Sequence, residues 1–227
     1  MTQNSAAILR TKLIVALDVD TIVQARKLVN ELYPPVGIFK VGSQLFTAAG
    51  PRVIEYIRNK GAEVFLELKF HDIPNTVARA VRQAVRLEIK MLTVHISGGK
   101  EMLSAAVQAA KAEAKFLRRR RPLLIGVTVL TSREAGPADV LKLAKAGLAA
   151  GLDGVVCSAR EVRLLRKTIK KKFIIVTPGI RPKTAPGDDQ KRTATAKEAL
   201  TAGSDFLVVG RPILEAGDPR KAVENIL

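Results

Sequence analysis

Cysteine is nearly missing from this chain. Cys157 stands alone, so no internal disulfide is possible. It sits within the apolar stretch GVVCS, where a core position is expected. Tryptophan is absent and aromatic residues make up only 4%. That argues against a stacking surface for single-stranded nucleic acid. The two histidines, His71 and His95, are too few for a typical zinc site, and structural or supporting roles are expected. No apolar run approaches the roughly 18 residues of a membrane span. The opening MTQNSAAILRTK lacks the apolar core of a signal peptide. A soluble cytoplasmic protein with no membrane contact is the expectation.

Acidic residues are also scarce. Lys and Arg number 38 against 21 Asp and Glu, and 38 − 21 gives +17. Such a balance suits an anionic partner: nucleic acid, acidic lipid or a phosphorylated substrate. A solvated basic surface is the simpler account of it and the one expected. The densest runs, KFLRRRR (115–121) and RKTIKKK (166–172), each close a helical pattern and precede a strand pattern. Cations there complement helix dipoles. In a barrel both would lie on the N-terminal face, where non-specific polyanion binding is the functional expectation.

What the chain does have is a repeated strand–helix pattern. Apolar strand patterns occur at 13–19, 36–42, 63–68, 91–95, 123–129, 154–158, 173–177 and 205–210. The first, LIVALDV, is a continuous apolar run of the kind buried on both faces in a parallel sheet. Helical stripes follow each strand, beginning with 20–32, for which Asp20 is the expected N-cap. Others cover about 50–60, from Pro74, 100–117, 137–150, 159–170, 195–202 and 212–226. Eight such units in 227 residues, with no linker or composition break, predict a single (β/α)8 barrel domain over 1–227.

Chemistry in such barrels sits at the C-terminal strand ends. The stretch EVFLELKFHDIPNT (63–76) places Glu67, Lys69 and Asp72 there within six residues. Side chains alternate along a strand, so Val64, Leu66 and Leu68 share one side and Phe65, Glu67 and Lys69 the other. The aliphatic side must face the helices, which turns Glu67 and Lys69 into the barrel mouth. By the same count Ile38 and Lys40 share a side, and Asp18 ends the first strand. Asp18, Lys40, Glu67 and Lys69, with Asp72, form a candidate charge network. Buried charges at a strand end must pair or do chemistry. Across the mouth, VTPGIRP (176–182) and VVGRPI (208–213) occupy the loop positions where barrels commonly hold phosphate. Gly179 and Gly210 allow close backbone approach, Arg181 and Arg211 offer forked charge, and a helix opening near Arg211 would add its dipole. The polar loop KTAPGDDQKR (183–192) is a candidate lid.

Seven segments together resemble orotidine 5′-phosphate decarboxylase in its bacterial form: LIVALDV, FKVGSQLF, LKFHDIPNT, GVTVLTS, GLDGVVCS, VTPGIRP and VGRPI. The resemblance runs from about Leu13 to the end, and HDIPNT is its most specific block. It implies decarboxylation of orotidine 5′-monophosphate to uridine 5′-monophosphate and CO2, without metal or cofactor, in pyrimidine biosynthesis. It implies that Lys69 donates the proton and that Lys40, Glu67 and Asp72 complete the catalytic set. Asp72 would reach a neighbouring subunit's site in a homodimer. Asp18, Lys40 and, from the second copy, Thr76 would contact ribose, and Thr131 the pyrimidine. Arg181, Gln190, Gly210 and Arg211 would hold phosphate. Two departures stand out. The family motif begins with Asp where this chain has Glu67, and a shift of about 1 Å there can cost about 10²-fold in rate. The segment 133–147 is shorter than the family's usual connection. Two other readings stay open: a metal-dependent sugar-phosphate lyase of the same superfamily, or an impaired phosphate-ligand or nucleic-acid binder.

Overall fold

The structure, a computed structural model, describes residues 3–130, 136–182 and 193–226. Eight parallel strands close in chain order: β1 (Leu13–Ala16), β2 (Ile38–Gly42), β3 (Glu63–Phe70), β4 (Met91–His95), β5 (Leu123–Val127), β6 (Gly154–Val156), β7 (Ile174–Thr177) and β8 (Phe206–Val209). β1 pairs with β2 on one side and with β8 on the other, which closes the ring. The helices are α1 (Gln3–Lys12), α2 (Ile22–Leu32), α3 (Ser43–Ala49), α4 (Pro51–Asn59), α5 (Pro74–Arg86), α6 (Gly99–Phe116), α7 (Pro137–Ala149), α8 (Ala159–Thr168), α9 (Ala196–Ala202), α10 (Arg211–Leu214) and α11 (Pro219–Glu224). The (β/α)8 barrel expected from the sequence is the fold found.

Strand alternation builds two cores from one sheet. Ile14, Ala16, Ile38, Phe65, Met91, Ile125, Val127, Val156, Val176 and Val208 fill the inside of the barrel. Their neighbours Val15, Phe39, Val64, Leu66, Leu92, Ile175 and Leu207 join the outer core against the helices. Each inward position passes its parity to the residue two further on. Ala16 leads to Asp18, Ile38 to Lys40, and Phe65 to Glu67, so the interior layer dictates which polar groups line the mouth.

Several local expectations are corrected. Asp20 does not cap α2. Thr21 does, accepting the Gln24 N–H at 3.2 Å while the Gln24 side chain returns to the Thr21 N–H at 3.0 Å. The Asp20 carboxylate instead accepts from Gln44 at 2.6 Å. Before the helix expected from Gly50, α3 turns immediately out of β2; two buried residues, Leu45 and Ala49, are too few to show a stripe. The last expected helix is two pieces. α11 starts afresh on Asp218, which accepts the Lys221 N–H at 2.9 Å. Strand pairing stops short of the expected ends in β1, β5, β6 and β8, but β3 runs two residues further than expected.

The base of the barrel is tied by ion pairs. Lys90 pairs with Glu63. Arg121 holds Asp153 with two bonds of 2.8 and 2.6 Å, and Asp153 also accepts the Leu124 N–H at 2.8 Å. Arg166 holds Asp205 at 2.5 Å, and Asp205 accepts the Ile175 N–H at 2.7 Å. The two basic runs therefore fall between α6 and β5 and between α8 and β7, on the N-terminal face as expected. Cys157 is buried, and burial, with Glu161 nearby, pushes its thiol up, which keeps it protonated. No helix among the described residues is long and apolar enough to cross a membrane.

Candidate active site

A cavity of about 280 Å³ opens at the C-terminal mouth. Asp18, Lys40, Glu67, Lys69, Arg181, Gly210 and Arg211, all singled out from the sequence, line it together. The opposite part of the wall is apolar, with Val127, Val129, Leu130 and Val156. The cavity thus offers charge on one side and a greasy surface on the other, a pairing suited to a flat ring carrying ionised substituents.

The charged side is a chain of four groups. Lys40 Nζ lies 2.7 Å from Asp18 Oδ1 and 3.0 Å from Glu67 Oε2. Glu67 Oε1 lies 3.3 Å from Lys69 Nζ. Exposure grades across them: the Lys40 side chain is 7% exposed, Glu67 16%, Lys69 35% and Asp18 49%. Burial alone would lower the Lys40 pKa, but Glu67 and Asp18 outweigh it and hold the pKa above its ordinary value. Lys40 is a fixed cation clamped between two anions. Gly42 makes room for it, because a Cβ there would stand 3.1 Å from Lys40 Nζ and 3.5 Å from Asp18 Oδ1. Nothing in the sequence pattern marks Gly42 for this role; only the strand register, which sets it opposite Glu67, reveals it.

Lys69 is held differently. Its φ is 52°, in the left-handed region. For a residue with a side chain this costs about 1–3 kcal/mol and persists only where surroundings enforce it. Its N–H donates to Thr93 Oγ1 at 2.8 Å. Beside it, His71 and His95 place their ring centroids 5.3 Å apart. Burial first, then His71 and Lys69, push the His95 pKa down, so this imidazole is neutral.

On the side of Arg181 and Arg211, Gly179 has φ 76°, which favours glycine. The Arg181 N–H donates to the Ala194 carbonyl at 2.9 Å, and the Ala194 N–H donates to the Gly179 carbonyl at 3.2 Å, anchoring both ends of the intervening loop. α10 after Gly210 is a four-residue turn, not the long helix expected, so its dipole is small. Asp72 and Thr76 do not line the cavity of their own chain. Both are exposed, and Asp72 accepts the Ile73 N–H at 2.6 Å at the start of α5. Thr131, Gln190 and the whole of the candidate lid (183–192) lie outside the described residues. Among the described residues no group of three or more His, Cys, Asp or Glu side chains could hold a metal ion.

Comparison with known proteins meets this geometry. The orotidine 5′-phosphate decarboxylase / HUMPS family pattern matches residues 11–226. Orotidine 5′-phosphate decarboxylase of Syntrophotalea carbinolica is 50% identical over 229 aligned positions, covering 96% of this chain and 94% of that protein. The Moorella thermoacetica enzyme of the same name is 48% identical, covering 96% of this chain and 91% of that one. Among solved structures, orotidine 5′-phosphate decarboxylase from Lactobacillus acidophilus superposes with a TM-score of 0.82 at 39% identity, covering 95% of this chain and 97% of that one. Sequence pattern, relatives and barrel agree from end to end: this chain belongs to the orotidine 5′-phosphate decarboxylase / HUMPS family.

Proposed function

We propose that this protein converts orotidine 5′-monophosphate to uridine 5′-monophosphate and CO2 in pyrimidine biosynthesis. The observation that carries this is the Asp18–Lys40–Glu67–Lys69 chain, facing an apolar wall at the barrel mouth. Full-length relatives bearing that enzyme's name support it. They do not favour the sugar-phosphate lyase or the impaired binder. We read residues 1–227 as one domain acting in the cytoplasm without metal or cofactor.

The charges explain how such a site would work. Two carboxylates and two ammonium groups balance. A substrate carboxylate set beside Glu67 adds an anion that nothing in the set offsets, and that anion departs as CO2. The carbon–carbon bond breaks and its electron pair stays on the ring carbon. Lys69 stabilises that carbanion and then gives it a proton, an interaction fully developed only at the transition state. Water reprotonates Lys69. Arg181, Arg211 and the Gly210 backbone, with Gln190, bind phosphate; Asp18 and Lys40 hold ribose; Thr131 and the apolar wall hold the pyrimidine. Asp72 and Thr76 act in the site of a second copy. Their exposure and their absence from their own cavity favour that sharing.

Glu67 does not mark an impaired site on this reading. Its two oxygens reach both lysines at ion-pair distance, so the longer side chain is accommodated. The basic N-terminal face is read as a weak, non-specific polyanion surface. Arg119 and Arg121 are already paired with Glu88 and Asp153, which leaves Lys115, Arg118 and Arg120 as the other exposed cations of that run.

Turnover is followed by the loss of substrate absorbance. The parent should be unaffected by chelator, and Lys69→Ala should lose about 10²–10⁴-fold or more in kcat/KM while still binding uridine 5′-monophosphate. A chelator-sensitive parent, or binding without turnover, would overturn the assignment. Glu67→Asp should not raise kcat/KM; a tenfold gain, roughly 1.4 kcal/mol, would show that the longer side chain limits the rate. Lys69→Ala and Asp72→Asn should each be inactive, yet a re-equilibrated equal mixture should recover about a quarter of parental activity, because each mixed two-fold dimer keeps one intact site. No recovery rules out shared sites. Arg118→Gln with Arg120→Gln should elute earlier from heparin; unchanged elution removes the polyanion reading.

A further inference from the structure

Thr93 carries no charge, is not part of the mouth cavity's lining and is fully buried, yet it meets the backbone of Lys69, the one residue of the mouth's charge network with a left-handed φ. β3 and β4 stay in register from Phe65↔Met91 to Leu66↔Leu92 and resume at Phe70↔Val94. Between those pairs β3 supplies three residues, Glu67, Leu68 and Lys69, where β4 supplies Thr93 alone. Such a bulge removes ladder partners from the longer strand. The Lys69 N–H falls in that gap, and the Thr93 hydroxyl accepts it at 2.8 Å in place of a carbonyl. Thr93 is well suited to hold an acceptor still. Its β-branched side chain has restricted rotamers. Its position alternates with Met91, which faces the barrel interior, and it pairs with Ile125, which does too.

The geometry points to Thr93 as a positioning residue for Lys69. Its hydroxyl holds the Lys69 peptide in the left-handed conformation that aims the ammonium at Glu67 and the cavity. In an ordinary extended conformation the alternation after Glu67 would run on undisturbed, and the Lys69 side chain would leave the mouth at a different angle. This rests on the reading of Lys69 as proton donor. It makes catalytic geometry depend on a neutral side chain on the adjacent strand.

Thr93→Val removes the acceptor at nearly constant shape, and Thr93→Ser keeps it. Thr93→Val should lower kcat about 10- to 100-fold with KM within about threefold, and Thr93→Ser should restore kcat to within about threefold of the parent. A crystal structure of Thr93→Val should show Lys69 outside the left-handed region. If the hydroxyl only satisfies a buried N–H, Thr93→Val lowers the melting temperature and leaves kcat and the Lys69 conformation unchanged, and the inference is overturned. Lys69→Ala is measured in parallel. If it keeps turnover, the proton-donor reading itself fails; if it is inactive while Thr93→Val matches the parent, only the Thr93 inference fails. Should Thr93→Val not fold, Thr93→Cys replaces the hydroxyl by a weak acceptor and is judged by the same kcat and structure.

Discussion

Burial works against the charge on Lys40, and two carboxylates reverse it. The mouth of this barrel depends on that balance. Asp18 is half-exposed at the end of β1 and Glu67 is nearly buried on β3, so the ammonium ties the first strands together from inside. Removing Lys40 would leave two carboxylates facing each other without their cation. Removing either carboxylate would weaken the compensation that keeps a buried cation tolerable. Lys69 inherits its orientation from the same arrangement, since Glu67 is the shared partner of both lysines. The buried lysine and the more exposed one are thereby separated by one carboxylate, with Lys40 fixed between two anions and Lys69 lining the open cavity.

Much of this was legible in the sequence because strand parity is a strict code. The aliphatic Val64 and Leu66 could only face helices, so Phe65 and Glu67 had to face inward, and the two-layer core confirms it. The same count placed Lys40 over Ile38. Features that break periodicity were not legible. The bulge in β3 arises from unequal residue counts on two strands, and no single strand displays it. Thr93 looked like one more strand residue, and Gly42 like an ordinary strand end. Asp20 was a plausible cap by residue type; the Thr21 and Gln24 pairing one position on was the stronger local signal. Helix α3 is too short for its stripe to rise above the strand preceding it.

The two ends of the barrel spend their charges differently. At the base, Asp153 and Asp205 each accept a strand N–H and an arginine, a repeated fastening where α–β connections enter the sheet. Those carboxylates are held by groups of their own chain. At the mouth, Glu67 and Asp18 touch only lysines among the described hydrogen bonds and ion pairs, and they do so beside open volume. Much of the excess positive charge therefore lies away from the cavity. Beside the cavity itself, the described cations are Lys40, Lys69, Arg181 and Arg211, close enough to an anion in it to act within a Debye length.

Glu67 is where sequence and structure meet most sharply. Judged by motif, an added methylene displaces a carboxylate whose position matters. Judged by geometry, the displacement is absorbed: one oxygen stays on Lys40 at 3.0 Å and the other on Lys69 at 3.3 Å. Two features allow this. Gly42, directly opposite Glu67 in the register, leaves the Lys40 head group uncrowded. The bulge that follows Glu67 frees Lys69 from the regular ladder, so its ammonium is set by the Thr93 contact and by Glu67 itself. A rigid ladder would transmit an extra methylene to both partners. A bulged strand facing a glycine lets the lysines stay at ion-pair distance, which is why a substitution that looks disabling in the motif keeps the network intact in the fold.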